Sequence, residues 1–284
     1  MEPIANIVDS HVHFWDPHRL RYPWLAGLPE LNRAFLPANF GGGSVGAGVT
    51  KIIVVESGCE PWQYLDEVDW VSTFAKEETR LCGMVAHAAV EKGCTVEADL
   101  KLLAMRPLVK GIRRSLQDER DPGICLRPDF ITGVKHLAAF QFTFDLCIRP
   151  DQIKMVTELI RRVPEIQFVL DHCGKPLVRA GKIEPWAMEL RSLAALPNVY
   201  CKISGLATEA DWKEWRMEEI KPYVEIVLES FGCDRVLFGG DWPVCTLATS
   251  YERWLETIWK LASSVGALQC TKLFQTNAER IYRV

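Results

Sequence analysis

The feature that most constrains this chain is a rhythm. From Val49 onward, short apolar runs alternate with amphipathic stretches that place apolar residues every three to four positions. Strand-like runs fall at 50–58, 81–90, 108–114, 141–148, 167–172, 199–205 and 235–243. Helix-like stretches fall at 62–79, 96–105, 129–139, 150–163, 185–196, 218–231, 251–263 and 271–282. An opening strand around Ile7-Val8 brings the strands to eight. Runs such as Ile52-Ile53-Val54-Val55 are apolar without alternation, as parallel strands covered on both faces are. Eight β-α units in 284 residues predict an α/β fold: a single (β/α)8 TIM-type barrel spanning 1–284, with a long first βα loop and an extra C-terminal helix. A doubly wound open sheet is the alternative, but no Gly-x-Gly-x-x-Gly follows the first strand.

Composition narrows what such a barrel can do. Apolar residues make up 48% and charged residues 25%, enough for a large core. A net charge of −4 argues against nucleic acid as a partner, since phosphate binding needs a basic surface. No apolar run is long enough to span a membrane. The start, Met1 to Asn6, lacks the regions of a signal peptide. The ten cysteines are scattered without a Cys-x-x-Cys, which fits free thiols and a cytoplasmic location. No heptad seam points to an oligomer, and the oligomeric state stays open.

The segment 16–48 is irregular, with Pro17, Pro23, Pro29 and Pro37 followed by Gly41-Gly42-Gly43. A loop of this length in a compact domain is usually functional. Its Tyr22-Pro23-Trp24-Leu25 either covers a pocket mouth or packs as a satellite cluster.

Active-site groups of a barrel come from the C-terminal ends of its strands. Those ends carry His11 and His13, Glu56, His87, Arg113 and Arg114, Arg149, His172 and Asp241. His11 and His13 share one strand face about 7 Å apart and converge on one ion if the strand curves; otherwise they are a pair of core or surface histidines. Imidazoles with a carboxylate form a zinc-type ligand set. Glu56 is a further ligand or a salt-bridge partner. Arg113 and Arg149 hold substrate oxygens or pair with acids, and His87 reads either way. Lys175 lies in a Gly-Lys-Pro turn, and Trp24 suits a sugar face as well as packing. Lys110 sits early in its strand and reads as structural.

Several motifs carry a resemblance: Asp9-Ser10-His11-Val12-His13-Phe14-Trp15-Asp16, Tyr22-Pro23-Trp24-Leu25, Val109-Lys110-Gly111-Ile112-Arg113, Asp171-His172-Cys173-Gly174-Lys175-Pro176 and Phe238-Gly239-Gly240-Asp241-Trp242-Pro243. In this order they resemble the amidohydrolase superfamily, and within it the group of L-fuconolactonases and L-rhamnono-γ-lactonases. The resemblance implies that His11 and His13 are the first-strand metal pair, His172 the sixth-strand histidine and Asp241 the eighth-strand acid. It implies one divalent metal, zinc by ligand type, because the fifth strand ends Asp145-Leu146-Cys147-Ile148-Arg149 without the histidine of two-metal relatives. The implied activity is hydrolysis of a small-molecule sugar lactone. Asp241 would act as base then acid, and His172 would bind the oxyanion or the metal. Trp24, Arg113, Arg149, Lys175 and His87 would contact substrate. A hydrolase of dicarboxylate lactones, a metal-dependent decarboxylase and an inactive scaffold are the competing readings.

Overall fold

A computed structural model describes residues 6–41 and 48–284. The stretch Met1 to Ala5, and Gly42 and Gly43 of the glycine run, lie outside the described residues. Eight strands form one sheet in sequence order: β1 (Ile7–Val12), β2 (Val49–Val55), β3 (Leu81–His87), β4 (Val109–Arg113), β5 (Thr143–Leu146), β6 (Phe168–Leu170), β7 (Val199–Ile203) and β8 (Val236–Phe238). Every adjacent pair is parallel, with registers such as Val12 opposite Val54 and Ile203 opposite Phe238. The ring closes between β8 and β1. There Val12 bridges Trp242, the Asp241 N–H donates to His11 O at 2.8 Å, and Ser10 Oγ donates to Phe238 O at 2.6 Å. This is the expected (β/α)8 barrel.

Strand alternation sorts side chains into two cores. Ile52 and Val54 join the large outer core shared with the helices. Val8, Ile53, Val55, Val85, Val169 and Leu237 form a separate inner core with Ala278, Ile281 and Tyr282 of the terminal helix Asn277–Tyr282. The extra C-terminal helix is therefore packed into the inner core of the barrel.

Observed strands are shorter than expected where polar residues begin. The 235–243 run is a strand only through Phe238, because Gly239-Gly240 turns and Asp241 takes a left-handed backbone with φ +54°. The 271–282 stretch begins earlier, as Ala267–Thr271, and passes through a π turn at Lys272–Thr276. The first loop joins the main core instead of forming a satellite cluster. Trp15, Leu25, Phe35 and Phe40 are buried in the core, while Trp24 stays at a cavity wall. No helix among the described residues is long and apolar enough to cross a membrane.

Candidate active site

The site begins with β1. Asp9 Oδ1 accepts the N–H groups of His11 (3.0 Å) and Gly240 (2.8 Å), and Oδ2 accepts Tyr251 Oη at 2.8 Å. One carboxylate thus clasps the strand that carries His11 to the turn that carries Asp241. The turn passes so close that a Cβ on Gly239 would stand 2.8 Å from His11 Cβ. His172 arrives differently. After β6 the backbone of His172, Cys173, Gly174 and Lys175 is left-handed at φ +52°, +54°, +70° and +52°. Three non-glycine residues in that region store strain, which the buried surroundings hold in place. The turn packs His172 against Gly205, where a Cβ would meet its Nδ1 at 2.6 Å.

His11, His13, His172 and Asp241 are all buried. Ligand atoms of His11, His172 and Asp241 lie within 4.8 Å of one another. His13 Nε2 joins them, 3.1 Å from His11 Nε2 and 3.6 Å from Asp241 Oδ1. His11 Nε2 is 3.8 Å from the same oxygen. Burial holds His11 and His172 well below the ordinary imidazole range, so both are neutral near pH 7. Burial raises Asp241, but His172, His13 and Lys175 outweigh it and hold the carboxyl below its usual range.

These donors fit one divalent ion. His13 Nδ1 faces only the Val55 carbonyl, at 2.8 Å. A carbonyl only accepts, so Nδ1 is the donor there, and Nε2 is the ring atom turned toward His11. His11 Nδ1 lies 3.3 Å from Asp171 Oδ1 and 3.3 Å from Lys202 Nζ. With Nδ1 protonated toward Asp171, His11 Nε2 is an acceptor, 3.1 Å from His13 Nε2 and 3.4 Å from Arg113 Nη1, beside a carboxylate. Neutral imidazole nitrogens and a carboxylate oxygen at such separations suit zinc.

Above the cluster opens a cavity of about 530 Å³. Its apolar lining, Trp24, Leu28, Val244 and Leu247, follows the neighbouring strands β1 and β8, and its polar lining, Ser115, Gln117, Asp118, Arg149, Lys175, Thr208 and Glu209, follows β4 to β7. Several expected residues have other occupations. Glu56 stands outside the ligand cluster, which corrects its reading as a metal ligand: Oε1 accepts Arg113 Nε at 2.6 Å and Oε2 accepts the Gly58 N–H at 2.7 Å. Arg113 reaches the wall but is committed, with Nη2 on Glu56 O at 2.6 Å and Nη1 on Asp171 Oδ2 at 3.1 Å. Nη1 also passes 3.4 Å from His11 Nε2. His87 is absent from the lining, and its buried Nε2 has no partner, which removes it from the substrate contacts. Trp24, Arg149 and Lys175 do face the cavity. Trp24 Nε1 is anchored on Ser57 O at 2.7 Å. Arg114 is taken up by Glu91 and Glu119.

The sequence reading missed two groups. One is a belt of buried charge inside the barrel. Lys202 Nζ lies 2.7 Å from Asp145 Oδ2 and 3.0 Å from Asp171 Oδ1, and Tyr282 Oη donates to Asp145 at 2.6 Å. Burial opposes ionisation of Lys202, yet Asp145 and Asp171 raise it above its ordinary value. Burial likewise opposes ionisation of Asp171, but Lys202 and His11 hold it far below the carboxylate range. The available signal was a lysine inside an apolar strand, Val199-Tyr200-Cys201-Lys202-Ile203, because a buried charge requires a partner. The other is Glu209, on a segment after β7 that carries no motif.

Comparison with known proteins gives the family. The family model described as Amidohydrolase matches residues 8–284. The L-fucono-1,5-lactonase of Burkholderia multivorans is 32% identical over 293 residues, covering 97% of this chain and 95% of its own. That of Burkholderia ambifaria is 30% identical over 282 residues, covering 98% and 95%. A crystal structure of an amidohydrolase from Burkholderia multivorans with bound zinc superposes with a TM-score of 0.87 at 32% identity, covering 99% of this chain and 100% of that one.

Proposed function

We propose a function for this chain, which belongs to the amidohydrolase family: it hydrolyses a neutral sugar-acid lactone, L-fucono-1,5-lactone or a similar aldonolactone, to the open-chain acid. The observation that carries the reading is a carboxylate set among three imidazoles at the floor of a two-faced cavity whose wall cations are all paired. A sugar lactone has a hydroxyl-bearing edge for the polar wall and a carbon edge for Trp24, Leu28, Val244 and Leu247.

Asp241, ionised, takes a proton from a water as the water oxygen bonds to the lactone carbonyl carbon. The ring C–O bond then breaks, and Asp241 returns the proton to the departing ring oxygen. The products are a carboxylic acid and a hydroxyl. Ser204 Oγ, 2.9 Å from His172 Nδ1, can donate there and leave the other ring nitrogen protonated. That N–H is the donor for the developing oxyanion. One divalent ion held by His11, His13 and Asp241, with His172 close by, would supply Lewis-acid polarisation of the carbonyl when bound.

Wall charges favour a neutral substrate over a dicarboxylate. Arg113 is taken by Glu56 and Asp171, Arg149 lies 3.3 Å from Asp118 and 3.9 Å from Glu209, and Lys175 lies 4.0 Å from Glu209. The test is L-fucono-1,5-lactone hydrolysis followed with a pH indicator, before and after chelation. Rapid opening that chelation abolishes is expected. Opening that survives chelation would move carbonyl polarisation onto His172 and nearby cations. Inactivity across a panel of neutral lactones, with or without zinc, would overturn the proposal.

A further inference from the structure

Glu209 has no part in the chemistry above, yet its position is tightly held. Its N–H donates to Leu206 O at 3.2 Å, and its carbonyl accepts the Arg179 N–H at 3.0 Å. The segment after β7 is thereby tied to the segment after β6, which carries Lys175. From this anchored backbone the side chain, 17% exposed, reaches into the cavity between two cations. Oε1 lies 4.0 Å from Lys175 Nζ and Oε2 lies 3.9 Å from Arg149 Nη1. Among the described residues no other carboxylate stands within 4.0 Å of Lys175 Nζ. Arg149 has a second partner in Asp118.

We infer that Glu209 is the specificity-determining residue of the cavity, a charge filter that admits uncharged polyol lactones and turns away lactones bearing a free carboxylate. The inference rests on the lactone-hydrolase reading. Its physical content is simple. Lys175 and Arg149 face the polar wall and would otherwise form an anion site, as paired cations at a pocket wall do for carboxylates. Glu209 supplies the compensating charge, so an incoming carboxylate must approach a carboxylate already in place. In a solvent-open cavity like-charge repulsion persists at low salt and is screened at high salt, and specificity arises from the repelled ligand as much as from the accepted one. The hydroxyls of a neutral lactone meet donors and acceptors on the same three side chains.

The test compares Glu209→Gln with the wild-type protein, using L-fucono-1,5-lactone as the neutral probe and D-glucaro-1,4-lactone as the anionic one. The ratio of kcat/KM for the anionic to the neutral probe should rise at least about tenfold in the variant, mostly through a lower KM for the anionic probe. That gain should shrink with added salt. Lys175→Met, which leaves Glu209 only the Arg149 it shares with Asp118, should move the ratio the other way and guards against a misfolded glutamine variant. Binding of D-glucarate, the ring-opened diacid, measured by calorimetry, judges the filter without turnover. About tenfold tighter binding to Glu209→Gln supports it, and unchanged or weaker binding to the folded variant overturns it. If neither lactone is hydrolysed by any form, the lactone reading falls, while glucarate binding still decides the filter.

Discussion

Asp171 and His172 are adjacent in sequence and end up in opposite regimes. Asp171 belongs to a belt inside the barrel, with Arg113, Lys202, Asp145 and Tyr282, in which each acid is matched by a cation or a hydroxyl. His172 belongs to the cluster above, with His11, His13 and Asp241, where ring nitrogens and a carboxylate face one another and the nearest cation, Arg113 Nη1, stands 3.4 Å from His11 Nε2 while being held by Asp171. The belt is electrostatically satisfied and therefore holds shape. The cluster is unsatisfied and is therefore where a metal, a water or a substrate gains by binding. His11 belongs to both, with Nδ1 toward the belt and Nε2 toward the cluster. Similar polar side chains yield a structural element or a chemical one according to whether their partners are already in place.

The largest expected effect separates the two regions by activity. Asp241→Asn should lower kcat by about 10²–10⁴-fold, while the melting temperature stays within a few degrees of wild type. Near-normal turnover would remove Asp241 from proton transfer. Lys202→Met should show the reverse emphasis. It leaves buried Asp145 with hydroxyl donors alone and Asp171 with Arg113 as its remaining cation, and should cost about 3–5 kcal/mol in urea unfolding. Should Lys202→Met unfold like wild type, the belt would have no holding role.

Zinc titration probes the contrast next. Saturation at 100 times Kd should stabilise the chelated wild-type protein by about 2.7 kcal/mol, with one ion bound per protein molecule by calorimetry. His13→Ala should lose most of that gain, and an equal gain in both proteins would place the ion elsewhere. Tyr282→Phe removes one donor to buried Asp145 and should cost about 1–2 kcal/mol with kcat little changed.

The smallest effect concerns Glu67, a buried acid outside both regions. Its Oε1 accepts the Ser57 N–H at 3.0 Å, and the Cys59 thiol lies against the same carboxyl. Burial, with Glu56 nearby, pushes it up to about 8. Since the folded-state value lies above the unfolded one, its contribution is fully present below about pH 4.5 and is lost as pH rises through about 8. Glu67→Gln should therefore lose less stability than wild type between pH 6 and 9. Parallel melting curves for the two proteins would show that Glu67 is ionised in the fold.

Much of this molecule was legible in its residues. The alternation of apolar runs and amphipathic stretches determined the barrel, because strand and helix periods are local properties of sequence. The polar residues following the apolar runs located His11, His13, His172 and Asp241, because barrel strands deliver their C-terminal ends to one mouth. Tertiary structure alone decided which polar groups are open and which are closed. Glu56 meets Arg113 across 57 positions and Lys202 meets His11 across 191. No local period encodes such pairings, so a ligand, a clamp and a salt bridge read alike from sequence. Likewise the left-handed turn at His172 and the placement of Glu209 between Lys175 and Arg149 exist only once the ring has closed. Charge pairing depends on distance in space, and that distance is set by the closed barrel.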